Sequence, residues 1–135
     1  MKYLFLALIG LVLFTGCSTS TEATQNTNTE EMKDTPKLRH VVMLKFKESA
    51  TDADIKSVED AFIGLKSKIK EIKDLEWGIN YSPEGLNKGF THCFFLTFDS
   101  EEDRAIYLPH PDHKEFGKVL GPHLEDVTVI DYWAK

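Results

Sequence analysis

The sequence predicts an α+β fold over residues 37–135, a four-stranded antiparallel sheet with its helices on one face. Three observations predict it. Four segments alternate apolar and polar residues as strands do, and one long segment repeats apolar residues at the three- and four-residue steps of a helix. The third observation is the order of strand, helix, strand, strand, helices and strand, which suits an antiparallel sheet with segregated helices.

Length, charge and motifs exclude several other classes of protein. The chain has 135 residues, too few for a (β/α)₈ barrel or a doubly wound nucleotide enzyme. Its net charge of −6 argues against nucleic acid as a partner, because phosphate binding needs a basic face. The sequence has neither a glycine-rich phosphate loop nor a G-x-S-x-G motif, and we expect no cofactor.

Residues 1–16 predict a bacterial lipoprotein signal peptide. Lys2 precedes an apolar run over residues 3–14, which is shorter than the roughly 20 residues of a membrane-spanning helix. The T-G-C sequence ending at Cys17 resembles a lipobox, which implies cleavage before Cys17, diacylglycerol on its sulfur and an acyl chain such as palmitate on its new amine. The alternative is an ordinary signal peptide and a chance cysteine. We expect a lipoprotein anchored to a membrane of the bacterial cell envelope, the outer membrane in a diderm cell.

Residues 17–36 are predicted to be the lipidated Cys17 and a disordered tether. After the cysteine only Ala23 and Met32 are apolar, so this stretch cannot bury enough surface to offset its ordering entropy. A flexible coil of this length spans roughly 25 Å. We therefore expect the domain to hang from the membrane surface without contacting it strongly.

The first strand is predicted over residues 40–47, and a helix of about five turns follows it. Thr51 is expected to cap this helix, with Asp54 at its third position. The helix carries one apolar stripe, composed of Ile55, Val58, Phe62, Leu65, Ile69 and Ile72.

The remaining elements complete the sheet. The second strand is marked by the alternation of Leu75, Trp77, Ile79 and Tyr81. The third strand is predicted over residues 90–98, and Ser100 is expected to cap a short helix that ends near Pro109. A second short helix is predicted over residues 112–120 and a last strand over residues 127–132.

Helices on one side leave the other face of the sheet uncovered. This face is predicted to carry a set of apolar side chains, Val41, Met43, Cys93, Phe95 and Ile130. So large an apolar patch facing water marks a partner site. We therefore expect a homodimer that packs sheet against sheet, with Cys93 as a small hydrophobic group at the interface.

Five segments carry a resemblance to a known family. They are HVVMLKFK at 40–47, EWG at 76–78, SPEGLNKGFTH at 82–92, YLPHPDHKEFG at 107–117 and EDVTVIDY at 125–132. Together they resemble the stress-responsive α/β-barrel (Dabb) family over residues 38–133. The resemblance implies a ferredoxin-like monomer and a dimer whose two sheets close into a barrel. The family includes stress-induced proteins and a branch of plant polyketide cyclases.

The resemblance to the cyclase branch implies a set of site residues. A Tyr and a His that act together in an aldol condensation match Tyr107 and His113, and two further pocket histidines match His40 and His92. We expect His113 to act as a base, Tyr107 as a hydrogen-bond donor to an enolate oxygen, and the other two histidines to orient a ligand. Phenylalanines along the presumed pocket favour a small hydrophobic ligand, and they are Phe62, Phe94 and Phe116.

Other interpretations of these residues remain open. They can be structural, with His92 bonded to a carbonyl and His113 capping a helix. A metal site is the weaker alternative, with His110, Asp112 and His113 as its ligands.

Two functions therefore stay in competition, a dimeric ligand-binding lipoprotein with a stress-associated role and a cofactor-free enzyme of the cyclase or aldol type. If Phe62, Phe94 and Phe116 fill the pocket, the non-enzymatic function is favoured.

Overall fold

The computed structural model describes residues 35–135, so the predicted signal peptide, Cys17 and most of the predicted tether lie outside the described residues. The elements are β1 (Leu38–Phe46), α1 (Asp52–Lys68), β2 (Asp74–Ile79), β3 (His92–Phe98), α2 (Glu101–Tyr107), α3 (Pro111–Leu120) and β4 (Leu124–Trp133). The predicted order and the α+β fold class are confirmed. In this part of the chain no helix has both the length and the apolar character that crossing a bilayer requires.

The four strands form one antiparallel sheet in the order β2-β3-β1-β4. Strands β2 and β4 are therefore the two edges. The register places Val41 between Phe95 and Ile130, and it places His40 between Leu96 and Asp131. Because neighbouring residues of a strand point to opposite faces, these two rows lie on opposite sides of the sheet.

Helix α1 begins with the predicted capping box. The Thr51 hydroxyl accepts a hydrogen bond from the Asp54 backbone N–H at 3.2 Å, and the Thr51 backbone N–H donates to the Asp54 carboxylate at 2.9 Å. The helix ends at Lys68, earlier than the apolar stripe suggested. Ile69 is extended, and both it and Ile72 are buried, because the chain turns back onto the core after the helix.

Helices α2 and α3 are short and each begins with a side-chain cap. The Ser100 hydroxyl accepts from the Asp103 backbone N–H at 3.1 Å, as predicted. The cap of α3 is His110, whose Nδ1 accepts from the Asp112 backbone N–H at 3.2 Å. His113 lies inside the first turn of α3, and its ring bonds the carbonyl of Leu108, so it caps the C-terminal end of α2 and not the start of α3.

The strand ends differ from the prediction at both edges of the sheet. β2 ends at Ile79, so Tyr81 lies outside it and is 94% exposed. β4 begins at Leu124 rather than at residue 127, because a register shift lets Leu124 pair with Phe46.

The core lies between the sheet and the helices. Its fully buried members come from the sheet, from the helices and from the segment after α1, and they are Leu38, Leu44, Val58, Phe62, Leu65, Ile69, Ile72, Phe94, Leu96, Phe98 and Tyr107. The opposite face of the sheet has the apolar residues that the alternation predicted, Val41, Met43, Cys93, Phe95 and Ile130. Ile130 is 47% exposed and the other four are half-buried, so this face has no cover within the described chain.

Candidate functional site

Three phenylalanines fill the middle of the space between sheet and helices. The rings of Phe62 and Phe94 stack with centroids 3.9 Å apart, and Phe116 meets Phe62 edge-on at 4.7 Å. All three are at most 5% exposed. We call Phe62, Phe94 and Phe116 the aromatic cluster. Because it is packed as a core, a ligand cannot occupy the centre of the layer, which favours the non-enzymatic function on the criterion given above.

The structure brings together three of the four polar residues that the family resemblance implied. The His40 ring lies 5.7 Å from the Tyr107 ring, and the Tyr107 ring lies 4.4 Å from the His113 ring, between centroids. We call His40, Tyr107 and His113 the polar cluster. It adjoins the aromatic cluster through His113 and Phe116, whose centroids are 6.2 Å apart.

His113 is held by the turn between α2 and α3. Its Nδ1 lies 2.9 Å from the carbonyl oxygen of Leu108. A carbonyl only accepts, so Nδ1 must carry the proton, and in the neutral ring Nε2 has a free lone pair. His113 is half-buried, which leaves it both fixed in orientation and accessible from one side. This arrangement is suited to a base or a hydrogen-bond acceptor.

Tyr107 is the last residue of α2 and is 1% exposed. Burial raises the pKa of its phenol well above the usual value, because the ionised form loses its hydration. The hydroxyl therefore stays protonated at neutral pH. It can serve as a hydrogen-bond donor but not as a base.

His40 is oriented by a carboxylate that the sequence analysis did not identify. Its Nδ1 lies 2.8 Å from Oδ1 of Asp131, and Oδ2 of Asp131 lies 3.2 Å from Nη1 of Arg104. His40 therefore donates Nδ1–H to Asp131 and keeps Nε2 free in its neutral form. The signal available in the sequence was Asp131 itself, a charged residue alternating with Val127 and Val129 on the face toward the helices.

His92 lies apart from the polar cluster. It pairs with Leu44 in the sheet, whereas His40 pairs with Leu96, so the two histidines are offset by four residues along the strands. The four polar residues therefore do not converge on one cavity.

Hydrogen bonds occupy both ring nitrogens of His92. Nε2 lies 3.1 Å from the Glu59 carboxylate and Nδ1 lies 2.9 Å from the Thr91 hydroxyl. Its ring packs against Phe46 and Trp77, with centroids 5.0 Å and 6.3 Å away. The plain structural interpretation suits His92 best, although its partner is a carboxylate rather than the expected carbonyl.

The two histidines named for a metal site each use one ring nitrogen for a local hydrogen bond. His110 uses Nδ1 to cap α3, and His113 uses Nδ1 to bind Leu108. Across residues 35–135, no group of three or more His, Cys, Asp or Glu side chains is placed to hold a metal ion.

Cys93 lies on the uncovered face of the sheet and is half-buried. Burial raises the pKa of its thiol, and the charge of Glu76 adds to this effect. A thiol with a raised pKa is a poor nucleophile at neutral pH. Cys93 therefore behaves as a small apolar residue of that face.

Known proteins resemble this chain along nearly all of the described domain. The model of the stress responsive A/B barrel domain (Dabb) matches residues 38–134. The stress-response A/B barrel domain-containing protein HS1 of Arabidopsis thaliana is 36% identical, covering 70% of this chain and 87% of HS1. Olivetolic acid cyclase of Cannabis sativa is 32% identical, covering 70% of this chain and 94% of the cyclase.

Solved structures share the fold. A protein of unknown function from Bacteroides fragilis, described as dimeric and ferredoxin-like, superimposes with a TM-score of 0.62 at 25% identity. The match covers 73% of this chain and 96% of that protein. The expected ferredoxin-like architecture is thereby confirmed. The protein from Bacteroides fragilis and a ferredoxin-like protein from Thermobifida fusca are both described as dimeric.

Proposed function

The chain belongs to the stress responsive A/B barrel (Dabb) domain family, and we propose that it is a membrane-anchored homodimer that binds a small, partly hydrophobic ligand beside Tyr107 and His113. The observation that carries the ligand proposal is the contact between these two rings, at 4.4 Å between centroids, at the margin of a largely apolar layer. A few fixed polar groups on an apolar wall are the usual make-up of a small-molecule site.

The aromatic cluster limits where the ligand lies and how large it is. Phe62, Phe94 and Phe116 occupy the centre of the layer, so binding is restricted to the margin at the α2–α3 turn. His113 is half-buried there and Leu108 is exposed. A compact molecule with one apolar side and one carbonyl or hydroxyl group suits this margin, because His113 accepts and Tyr107 donates.

Two features support the homodimer. The sheet face with Val41, Phe95 and Ile130 is apolar and uncovered within the described chain. Two solved proteins of the same fold are described as dimeric. Burying such a face against a second copy removes apolar area from water, which is the main favourable term in association.

The membrane anchor is proposed from the sequence alone. Cys17 follows an apolar run too short to span a bilayer and precedes a polar stretch. Diacylglycerol and a further acyl chain supply the two or more chains that stable anchoring needs.

The ligand proposal is tested with a small carbonyl compound as probe. Acetophenone is titrated into the full chain and into Tyr107→Phe and His113→Gln variants, and binding is followed by ¹H–¹⁵N NMR shifts. We expect saturable shifts around the α2–α3 turn in the wild type and weaker binding in both variants. His123→Gln, which lies near Asp54 at the start of α1, serves as the control. Equal binding by all four proteins, or none by the wild type, contradicts the site.

A second candidate function is cofactor-free acid–base catalysis at the same margin. It is favoured by the free Nε2 of His113, by the contact of its ring with the Tyr107 ring at 4.4 Å between centroids, and by the kinship with a protein named olivetolic acid cyclase. His113 would remove a proton from a carbon next to a carbonyl, while Tyr107 donates a hydrogen bond to the enolate oxygen.

Hydrogen–deuterium exchange separates catalysis from binding. Exchange of the methyl protons of acetophenone in D₂O is followed by NMR with the wild type, Tyr107→Phe and His113→Gln. A catalyst accelerates this exchange and both variants slow it. If exchange proceeds at the buffer rate with all three proteins while binding is measurable, catalysis is contradicted and the non-enzymatic function is retained.

A further inference from the structure

A pocket of about 300 Å³ lies where the two ends of the described chain meet. The backbone N–H of Ala134 donates to the carbonyl oxygen of Lys37 at 2.9 Å, which fixes the segment before β1 against the segment after β4. We call this cavity the terminal pocket. It is lined by Thr35, Pro36, Lys37, Arg39, Ala134 and Lys135.

Three cationic side chains line the terminal pocket, those of Lys37, Arg39 and Lys135. The Lys37 ammonium forms an ion pair with the Asp99 carboxylate at 2.8 Å, so its charge is compensated. Within residues 35–135, no carboxylate side chain forms an ion pair with Arg39 or Lys135. These two cations are therefore available to an anion that enters the pocket.

The Arg39 side chain is held in place by two neighbours on β3. Its Nη1 donates a hydrogen bond to the buried Thr97 hydroxyl, and its guanidinium carbon lies over the Phe95 ring, 5.3 Å from the centroid. A guanidinium has several N–H donors in a fixed fork, so donors remain for the oxygens of an anion. A side chain that is already ordered loses less conformational entropy when a ligand binds.

We propose that the terminal pocket binds the phosphate group of an organic phosphate ester, with Arg39 as the main contact and Lys135 beside it. Arginine matches phosphate oxygens through paired hydrogen bonds, and lysine adds a further positive charge. Small-molecule sites have volumes from roughly 300 Å³ upward, so the pocket leaves room for a substituent beyond the phosphate. Pro36 and Ala134 give that substituent an apolar wall. The ester is either a soluble metabolite or the headgroup of a phospholipid.

This site is separate from the ligand site proposed beside Tyr107 and His113. Arg39 and His40 are neighbours in β1, so their side chains point to opposite faces of the sheet. All lining residues other than Arg39 precede β1 or follow β4, so the pocket lies at the rim of the uncovered face, outside the apolar row of Val41. The inference therefore depends neither on the ligand proposed above nor on the homodimer.

Two soluble probes test the site and distinguish the sources of the phosphate. Glycerol 3-phosphate represents a soluble ester, and glycerophosphoglycerol represents the headgroup of phosphatidylglycerol without its acyl chains. Each is titrated into the full chain in a non-ionic detergent, and binding is followed by the ¹H–¹⁵N NMR shifts of the Lys37 and Ala134 backbone N–H groups. We expect saturable shifts with the wild type. The dissociation constant should rise about tenfold in Arg39→Gln, because a charge-assisted hydrogen bond is lost.

Three further variants serve as controls. Arg39→Lys keeps the charge but loses the fork, and it should bind more weakly than the wild type and more tightly than Arg39→Gln. Lys114→Gln removes one positive charge from an exposed position of α3 and should bind like the wild type. Lys135→Gln changes an exposed residue after β4 and should weaken binding without affecting the core, so it tests the site even if the Arg39 variants fail to fold.

Each outcome either supports or overturns the inference. Binding that Arg39→Gln or Lys135→Gln weakens supports it, and the probe that binds more tightly identifies the source as a lipid headgroup or a soluble ester. Absence of saturable shifts with both probes overturns it, and so do equal dissociation constants for the wild type, Arg39→Gln and Lys135→Gln. Equal weakening in Lys114→Gln also overturns it, because the probes would then respond only to the overall charge of the chain.

Discussion

Phe62 and Phe94 stack nearly parallel, with an interplanar angle of 15° and centroids 3.9 Å apart, and so join α1 to the central part of the sheet. Because these two rings are in contact, the middle of the layer between sheet and helices is core and not a pocket. This contact is the main reason why the ligand site is proposed at the margin of the layer and not in its middle.

Phe94→Ala should therefore act as a core truncation. Phe94 is fully buried between Phe62 and Trp77, and removing its ring leaves a cavity. The free energy of unfolding should fall by about 3–5 kcal/mol in urea denaturation. Ile79→Ala at an exposed edge position is the control and should change it by less than about 1 kcal/mol. A small loss for Phe94→Ala would mean that the layer contains free space.

Tyr107 should make stability fall at high pH. Burial raises the pKa of the folded phenol above the ordinary value of 10.0, so above that pH the unfolded chain loses a proton that the folded protein keeps. Stability from this group is complete below about pH 10 and declines as pH rises from there toward the folded pKa. Tyr107→Phe should remove this part of the decline, measured by denaturation at pH 8 to 11. If stability declines equally with rising pH in the two proteins, the phenol is hydrated in the folded state.

His110 and His113 should hold opposite tautomers when neutral. His110 accepts at Nδ1 from Asp112 and must carry its proton on Nε2, whereas His113 donates from Nδ1 to the Leu108 carbonyl. Long-range ¹H–¹⁵N NMR spectra distinguish the two forms. The same tautomer at both positions would remove the basis for a free Nε2 on His113.

Thr51→Ala should destabilise the start of α1. It removes the hydroxyl that accepts from the Asp54 N–H, and capping losses of this kind are worth about 1 kcal/mol. Ser57→Ala, on the exposed face of the same helix, is the matched control and should be nearly neutral. The free energies of unfolding of the wild type and the two variants are measured by urea denaturation at pH 7. Equal values for Thr51→Ala and Ser57→Ala would contradict the prediction.

The Thr51 variant should also lose some acid sensitivity. The Thr51 backbone N–H, and then its hydroxyl, lower the pKa of Asp54 below the ordinary 3.8 by hydrogen bonding to the carboxylate. This contribution is present above pH 3.8 and disappears as pH falls through the lower folded pKa. Without the hydroxyl, the difference between pH 7 and pH 3 should shrink.

Cys17 should be the site of lipidation. Cys17→Ala should abolish incorporation of labelled palmitate in the bacterial host and reduce the membrane-bound fraction. Cys93→Ala leaves the anchor untouched and should retain the label. Equal labelling of the Cys17 variant and the wild type would exclude the lipobox.

Local features of the fold were predictable from sequence because their partners lie close along the chain. Thr51 and Asp54 are three residues apart, and a capping box depends on little else. The end of α1 was harder to place, because Ile69 continues the helical spacing although the chain is already extended there. The apolar spacing indicates which residues are buried, and a residue can be buried without being part of a helix.

The candidate site was less predictable than these local features, because its residues come from distant parts of the chain. Asp131 and His40 are 91 residues apart and meet only through the pairing of β1 with β4. The aromatic cluster joins rings from α1, β3 and α3, and whether such rings leave a cavity depends on the distance between helices and sheet. The distance between helices and sheet cannot be read from the residue types of the sequence.

The pairing of Leu38 with Trp133 lies at one end of the sheet. The N-terminal side of the domain enters at this end, two residues before His40, whereas the connection over residues 80–91 lies at the opposite end, where His92 pairs with Leu44. His40 and Tyr107 therefore lie near the end of the sheet at which the chain enters the domain, and His92 lies near the opposite end.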